Sequence, residues 1–149
     1  MRPEFKDLRR KLLDRSLEPF RAACKVQRPP KGWVRAIREG IGVSANELGR
    51  KLGGSRQLVL QQERAEADDR ITLKSLRMLA NALDCDLVYA LVPRADSMQA
   101  LIEDRARAQA KKDVLGVEHS MALEGQAVGD VEQAIETETK RLTRKRSRR

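Results

Sequence analysis

Aromatic residues are nearly missing from this chain: two Phe, one Trp and one Tyr make up 3% of 149 residues, while 36% are charged. So few large rings exclude one wide core and favour a small helical domain that carries helical arms. Cysteine is equally scarce. Cys24 and Cys85 stand far apart and match no metal or redox spacing, so both are expected as free core thiols in a reducing cytosol. Histidine is reduced to His119, which leaves neither a histidine pair for a metal nor a second histidine to serve as base. No enzyme activity, cofactor or metal site is therefore expected. No apolar run approaches the roughly 20 residues of a membrane span, and MRPEFKDLRR has no apolar segment of the secretory kind. A cytoplasmic protein is expected.

What is present is charge, unevenly placed. The formal net charge is +9, but residues 140–149 contribute seven positives and no acid, leaving +2 for residues 1–139. The basic character is mainly that of the C-terminal tail, a solvated run able to add salt-sensitive attraction to phosphate without a specific site.

Helical periodicity and its punctuation organise the rest. Phe5, Leu8, Leu12 and Leu13 recur at helical spacing among Arg9, Arg10 and Lys11, predicting an amphipathic first helix that ends near Ser16. Pro19 then opens a second short helix that buries Phe20 and Cys24. Pro29, Pro30 and Gly32 stop helix altogether and mark a domain boundary. From there Trp33, Ile37 and Ile41 trace a short helix, with Trp33 as a core anchor, and Gly42 breaks it. Ser44 with Glu47 forms a capping box for the next helix, which closes at Gly53 and Gly54. Ser55 caps a further helix to about Arg64, and Thr72 caps one whose Leu73, Leu76, Leu79, Ala80 and Leu83 form an apolar stripe.

The segment CDLVYALVP reads as a strand without a partner in its own chain, which points to pairing with the same strand of a second copy. Asp96 caps a long charged helix with a break near Gly116. EHSMALEGQ, residues 118–126, is a short helix that starts at Ser120 and stops at Gly125. A last amphipathic helix from Gly129, VEQAIETETKRL, gives way to the basic tail. The expected organisation is an N-terminal helical arm (1–31), a central domain with a terminal strand (32–93), C-terminal helices (94–128), and a last helix with basic tail (129–149).

Two helices about a glycine turn, the second opening with polar side chains, form the helix-turn-helix device. VSANELGRKLGGSRQLVLQQERA resembles that of Cro/C1-type phage repressors, through Leu48, Leu52, Gly53, Ser55, Arg56, Gln57, Val59 and Glu63. The resemblance covers residues 32 to about 92 and implies a mainly α fold in which Arg38 braces Glu63. It also implies that the second helix enters the major groove of duplex DNA, with Arg56, Gln57 and Gln61 on base edges. Ser44, Lys51, Ser55, Arg64, Lys74 and Arg77 would meet phosphates. The sequence departs from the family at Ala45, Leu58, Leu60 and Gln62, which alters the operator rather than the fold.

Over its whole length the chain resembles the bacterial mobile mystery protein A family, through RPPKGW (28–33), AIREGIG, LKSLRMLANALDCDLVYALVP and HSMALEGQ. Members typically lie beside a gene for a Fic-domain protein, mobile mystery protein B, and Fic proteins mostly transfer AMP from ATP to protein hydroxyls. Fic inhibitors carry a helix with Ser or Thr, three residues, then Glu followed by Gly or Asn. Ser120, Glu124 and Gly125 fit that pattern. The resemblance implies that Glu124 pairs with an arginine of the toxin and fills the room of the ATP γ-phosphate, as arginine binds either anion with one fork. Expected overall is a homodimeric autorepressor that also inhibits a Fic toxin. The alternatives are a helix-turn-helix regulator without an enzyme partner, its C-terminal helices serving dimerisation, or an adaptor that uses the motif for protein contact.

Overall fold

A computed structural model describes residues 3–125 and 129–148. Gln126, which closes the EHSMALEGQ stretch, the boundary expected at 128, and Arg149 lie outside them. Among the described residues there are seven helices and no strand: α1 (Pro3–Ala23), α2 (Trp33–Gly40), α3 (Ala45–Lys51), α4 (Arg56–Ala67), α5 (Leu73–Ala82), α6 (Met98–Leu123) and α7 (Val131–Arg148). No helix among them is long and apolar enough to cross a membrane. The chain divides into two compact units, residues 24–90, and residues 1–23 with 91–149.

In the unit 24–90, four short helices start where serine or threonine offers an oxygen, or where a buried acid supplies one. Ser44, Ser55 and Thr72 accept from the backbone N–H groups of Glu47, Leu58 and Ser75, which satisfies otherwise orphaned donors of the first turn. α2 has no such cap of its own. Glu66 instead reaches across from α4 and accepts from the N–H groups of Trp33 and Val34 at 2.7 and 3.0 Å. Val34, Ala45, Leu48, Val59, Leu79 and Leu83 from all four helices form the core.

Three expectations for this unit need correction. Trp33 is 46% exposed and is not a core anchor, because the first position of α2 places it at the mouth of an apolar groove of about 300 Å³ with Leu76, Leu83, Leu87 and Val88. Cys24 is exposed and Cys85 half-buried. The strand expected over 85–93 is absent: a strand needs a ladder, and the chain supplies none among the described residues.

The other unit is built from long helices. α1 is one 21-residue helix that passes through Pro19 rather than two. The proline sits close to the C-terminal end, where its missing donor removes a single late hydrogen bond. α6 runs 26 residues without a break at Gly116, and its cap is Ser97, which accepts from Ala100 N–H, rather than Asp96. Asp14 of α1 adds a second acceptor there, bonding the Met98 N–H at 2.8 Å. α7 returns antiparallel to α6, so that Asp113–Glu118 face Gly129–Glu138 and Glu103–Arg107 face Glu136–Arg144. Ala106 and Ala110 are fully buried and Ile135 nearly so; small side chains on α6 provide the space for its neighbours. The basic run is helical too, since α7 continues to Arg148 instead of ending in a tail.

Candidate functional site

The α3–turn–α4 segment is held by close packing and one buried ion pair. A Cβ at Gly49 of α3 would lie 2.7 Å from the Ser55 carbonyl carbon and oxygen, so only hydrogen fits between the two helices. Gly53 turns the chain at φ +68. Below the turn, Arg38 of α2 donates from Nε to Glu63 Oε1 at 2.6 Å and from its terminal nitrogen to Oε2 at 3.2 Å. A third donor reaches the Val43 carbonyl at 3.1 Å. The hydrogen bonds to Glu63 hold the guanidinium above its ordinary value against the opposing effect of burial. This is the brace the phage-repressor resemblance implies; such a pair fixes orientation more than it adds stability.

Above the brace, Gln57, Gln61 and Arg64 follow one another at helical intervals along one exposed face of α4. They line a depression of about 420 Å³ together with Leu60, Ala65 and Arg70. Arg56 is exposed but stands about 100° around the helix from Gln57, off that stripe. Arg70 is not among the residues expected to meet phosphates. It comes from the turn after α4, held by Asp68 at 2.6 Å, and only its sign of charge could have marked it in the sequence. Ser44 and Ser55 are exposed, and their oxygens serve as caps. Lys51 donates to the Ala82 carbonyl at the end of α5 at 3.4 Å. Lys74 is exposed on α5, where Arg77 lies over the Tyr89 ring, 5.8 Å from its centroid. Ala45 is buried, so no side chain at that position reaches outward.

The S-M-A-L-E-G stretch has a different setting from the one its sequence suggests. It is not a separate helix opened by Ser120 but the last turn of α6, and the Ser120 hydroxyl donates back to the Gly116 carbonyl at 3.1 Å. Glu124 is the C-cap, its N–H bonded to the Ser120 carbonyl at 3.2 Å, and Gly125 follows at φ +73, the left-handed turn that ends helices. Ser120 and Glu124 are both exposed and lie on one face, and Leu123 beside them is 76% exposed. The Glu124 carboxylate makes no ion pair among the described residues. Nearby, the start of α7 and the end of α6 enclose an open groove of about 720 Å³ with Val114, Val117 and Ala134 on its floor and Asp113, Glu118 and Asp130 among its walls.

The chain matches no family model, no curated protein and no solved structure.

Proposed function

We propose that this chain is an antitoxin with two separable activities, as the resemblance to the mobile mystery protein A family implies. The first is carried by a Cro-type helix-turn-helix over residues 44–64, which binds an operator in duplex DNA and represses the chain's own promoter. α4 enters the major groove. Gln57 and Gln61 on the outward stripe and Arg56 in the first turn meet base edges, each good bidentate pairing giving roughly 1–3 kcal/mol of discrimination. Ser44, Ser55, Arg64, Lys74 and Arg77 meet phosphates, and Arg70 joins them on the strength of its place beside Arg64. Lys51 is the weakest of this group, as its ammonium is drawn to the end of α5.

A homodimer suits this activity, because paired half-sites match a two-fold protein. The segment 86–90 supports it: its backbone groups form no backbone hydrogen bond among the described residues, and Val88 and Tyr89 are exposed on it. An open edge of this kind takes a strand from another chain.

The second activity is inhibition of a Fic-domain AMP-transferase of the mobile mystery protein B type, by Ser120, Glu124 and Gly125. The chain itself does no catalysis, needs no cofactor and acts in the cytoplasm. One observation carries this part: the residue at the C-cap of a 26-residue helix bears an exposed carboxylate that forms no ion pair among the described residues. The helix dipole is negative there, so an acid costs about 0.3–1 kcal/mol where a base would stabilise. A residue that opposes its own helix marks a place selected for something other than folding. The combined negative potential favours an arginine fork, the same group that binds a nucleotide's terminal phosphate.

Glu124→Gly separates the activities. It should release AMP transfer by the neighbouring Fic protein and leave operator binding intact; undiminished inhibition by this variant would remove the Fic half and leave a plain helix-turn-helix regulator. Arg56→Ala with Gln57→Ala should abolish the operator footprint and spare inhibition. A retained footprint would take base recognition away from α4.

A further inference from the structure

We infer that the C-terminal end of α7 is a second nucleic-acid binding surface, taking the phosphates of duplex DNA without regard to sequence. The helix continues to Arg148, so the cations of this region are carried on a rigid rod. Lys140 and Arg141 are already tied to Glu136 and Glu138. Arg144, Lys145 and Arg146 are exposed and form no ion pair among the described residues. Arg144 borders a cleft shared with Glu103 and Asp104 of α6, which tempers the field on that side; Lys145 and Arg146 are not among the residues lining it.

The same helix argues against an anionic bilayer as the ligand. Membrane-surface helices bury an apolar face alongside their basic one. In α7 the apolar residues precede the cations: Ile135 is buried, Val131, Ala134 and Leu142 are half-buried, and no apolar residue follows Leu142. What remains is charge on a helical rod with nothing to insert. Duplex DNA, with one negative charge per roughly 1.7 Å of axis, answers that chemistry through release of its counterions.

The triple variant Arg144→Ala, Lys145→Ala, Arg146→Ala tests this in the full chain, since alanine preserves helix and the unchanged circular dichroism can be checked directly. Binding to a duplex of random sequence, followed by fluorescence anisotropy between roughly 50 and 200 mM salt, should weaken at least tenfold at the low end. The plot of log affinity against log salt should become shallower by about 2 to 3, near 0.9 for each phosphate that is no longer neutralised. An unchanged affinity and slope would overturn the inference, as would binding to phosphatidylserine vesicles that depends on the same three residues while duplex binding does not. The Arg64→Ala protein, altered at the residue of α4 assigned to phosphate, is run beside it. If that variant alone loses random-duplex binding, the phosphates are held by α4, and the inference about α7 fails while the operator reading stands.

Discussion

The two units solve the problem of stability in opposite ways. Residues 24–90 surround large apolar side chains, with Leu48 and Val59 sealed from solvent and a hydrogen-bonded ion pair locking α2 to α4. The other unit seals alanines, Ala106 and Ala110, and leaves Phe5, Leu8, Leu12, Leu115 and Leu123 substantially exposed along its long helices. The first leaves large apolar side chains exposed as well, Ile41, Met78 and Val88 among them, so the units differ in what they seal, not in how much they expose. On the proposed function the sealed core of the first fixes the side chains presented to a regular duplex, and the apolar side chains left open on the long helices of the second are there for a protein to cover.

The sharpest way to break that contrast is to remove one half of the buried ion pair. Glu63→Ala leaves the buried Arg38 with the Val43 carbonyl and a 3.9 Å contact to the exposed Glu39 in place of its bidentate partner, and should cost about 3–5 kcal/mol. Urea titration followed by the fluorescence of Trp33, the single tryptophan, should show an early transition while circular dichroism retains the α6 and α7 signal. Coincident transitions by both probes would mean that the units unfold as one. Leu48→Ala comes next, with roughly 2–5 kcal/mol lost from the same tryptophan-detected transition.

In the other unit the equivalent perturbation is insertion rather than deletion. Ala106→Leu should cost about 1–3 kcal/mol by overpacking α6, read in the helical signal and leaving the tryptophan transition in place. The smallest effect is that of acid. The Glu136 and Glu138 carboxyls are held below their ordinary 4.5 by the bonds from Lys140 and Arg141. Their contribution is complete above that value and fades as pH falls through the lowered folded-state values. A gentle loss of α7 helicity below pH 4.5, absent in Glu136→Gln with Glu138→Gln, is expected on acid titration by circular dichroism.

Helix starts in the central unit are legible in the sequence because they depend on local chemistry. A serine or threonine oxygen needs only a donor three residues on, and Ser44, Ser55 and Thr72 each bond theirs. Interruptions are harder to read because their effect depends on distant support. Pro19 and Gly116 each weaken a helix locally, yet α1 and α6 run through them, α6 with α7 lying against its second half. The same difficulty makes a separate helix of residues 118–126, where a serine that resembles a cap bonds backwards to Gly116. Trp33 is misplaced for a related reason: its backbone is secured by Glu66, a residue 33 positions away that no periodicity connects to it. At the candidate sites, side-chain identity is legible and direction is not. Lys51 turns to a helix end and Arg70 is brought in by a turn, both consequences of packing.

Because only hydrogen at Gly49 separates α3 from the Ser55 carbonyl, the start of α4 cannot be brought closer to α3. On the operator-binding reading, descendants of this chain would acquire new target sequences by exchanging outward side chains rather than by drawing the two helices together.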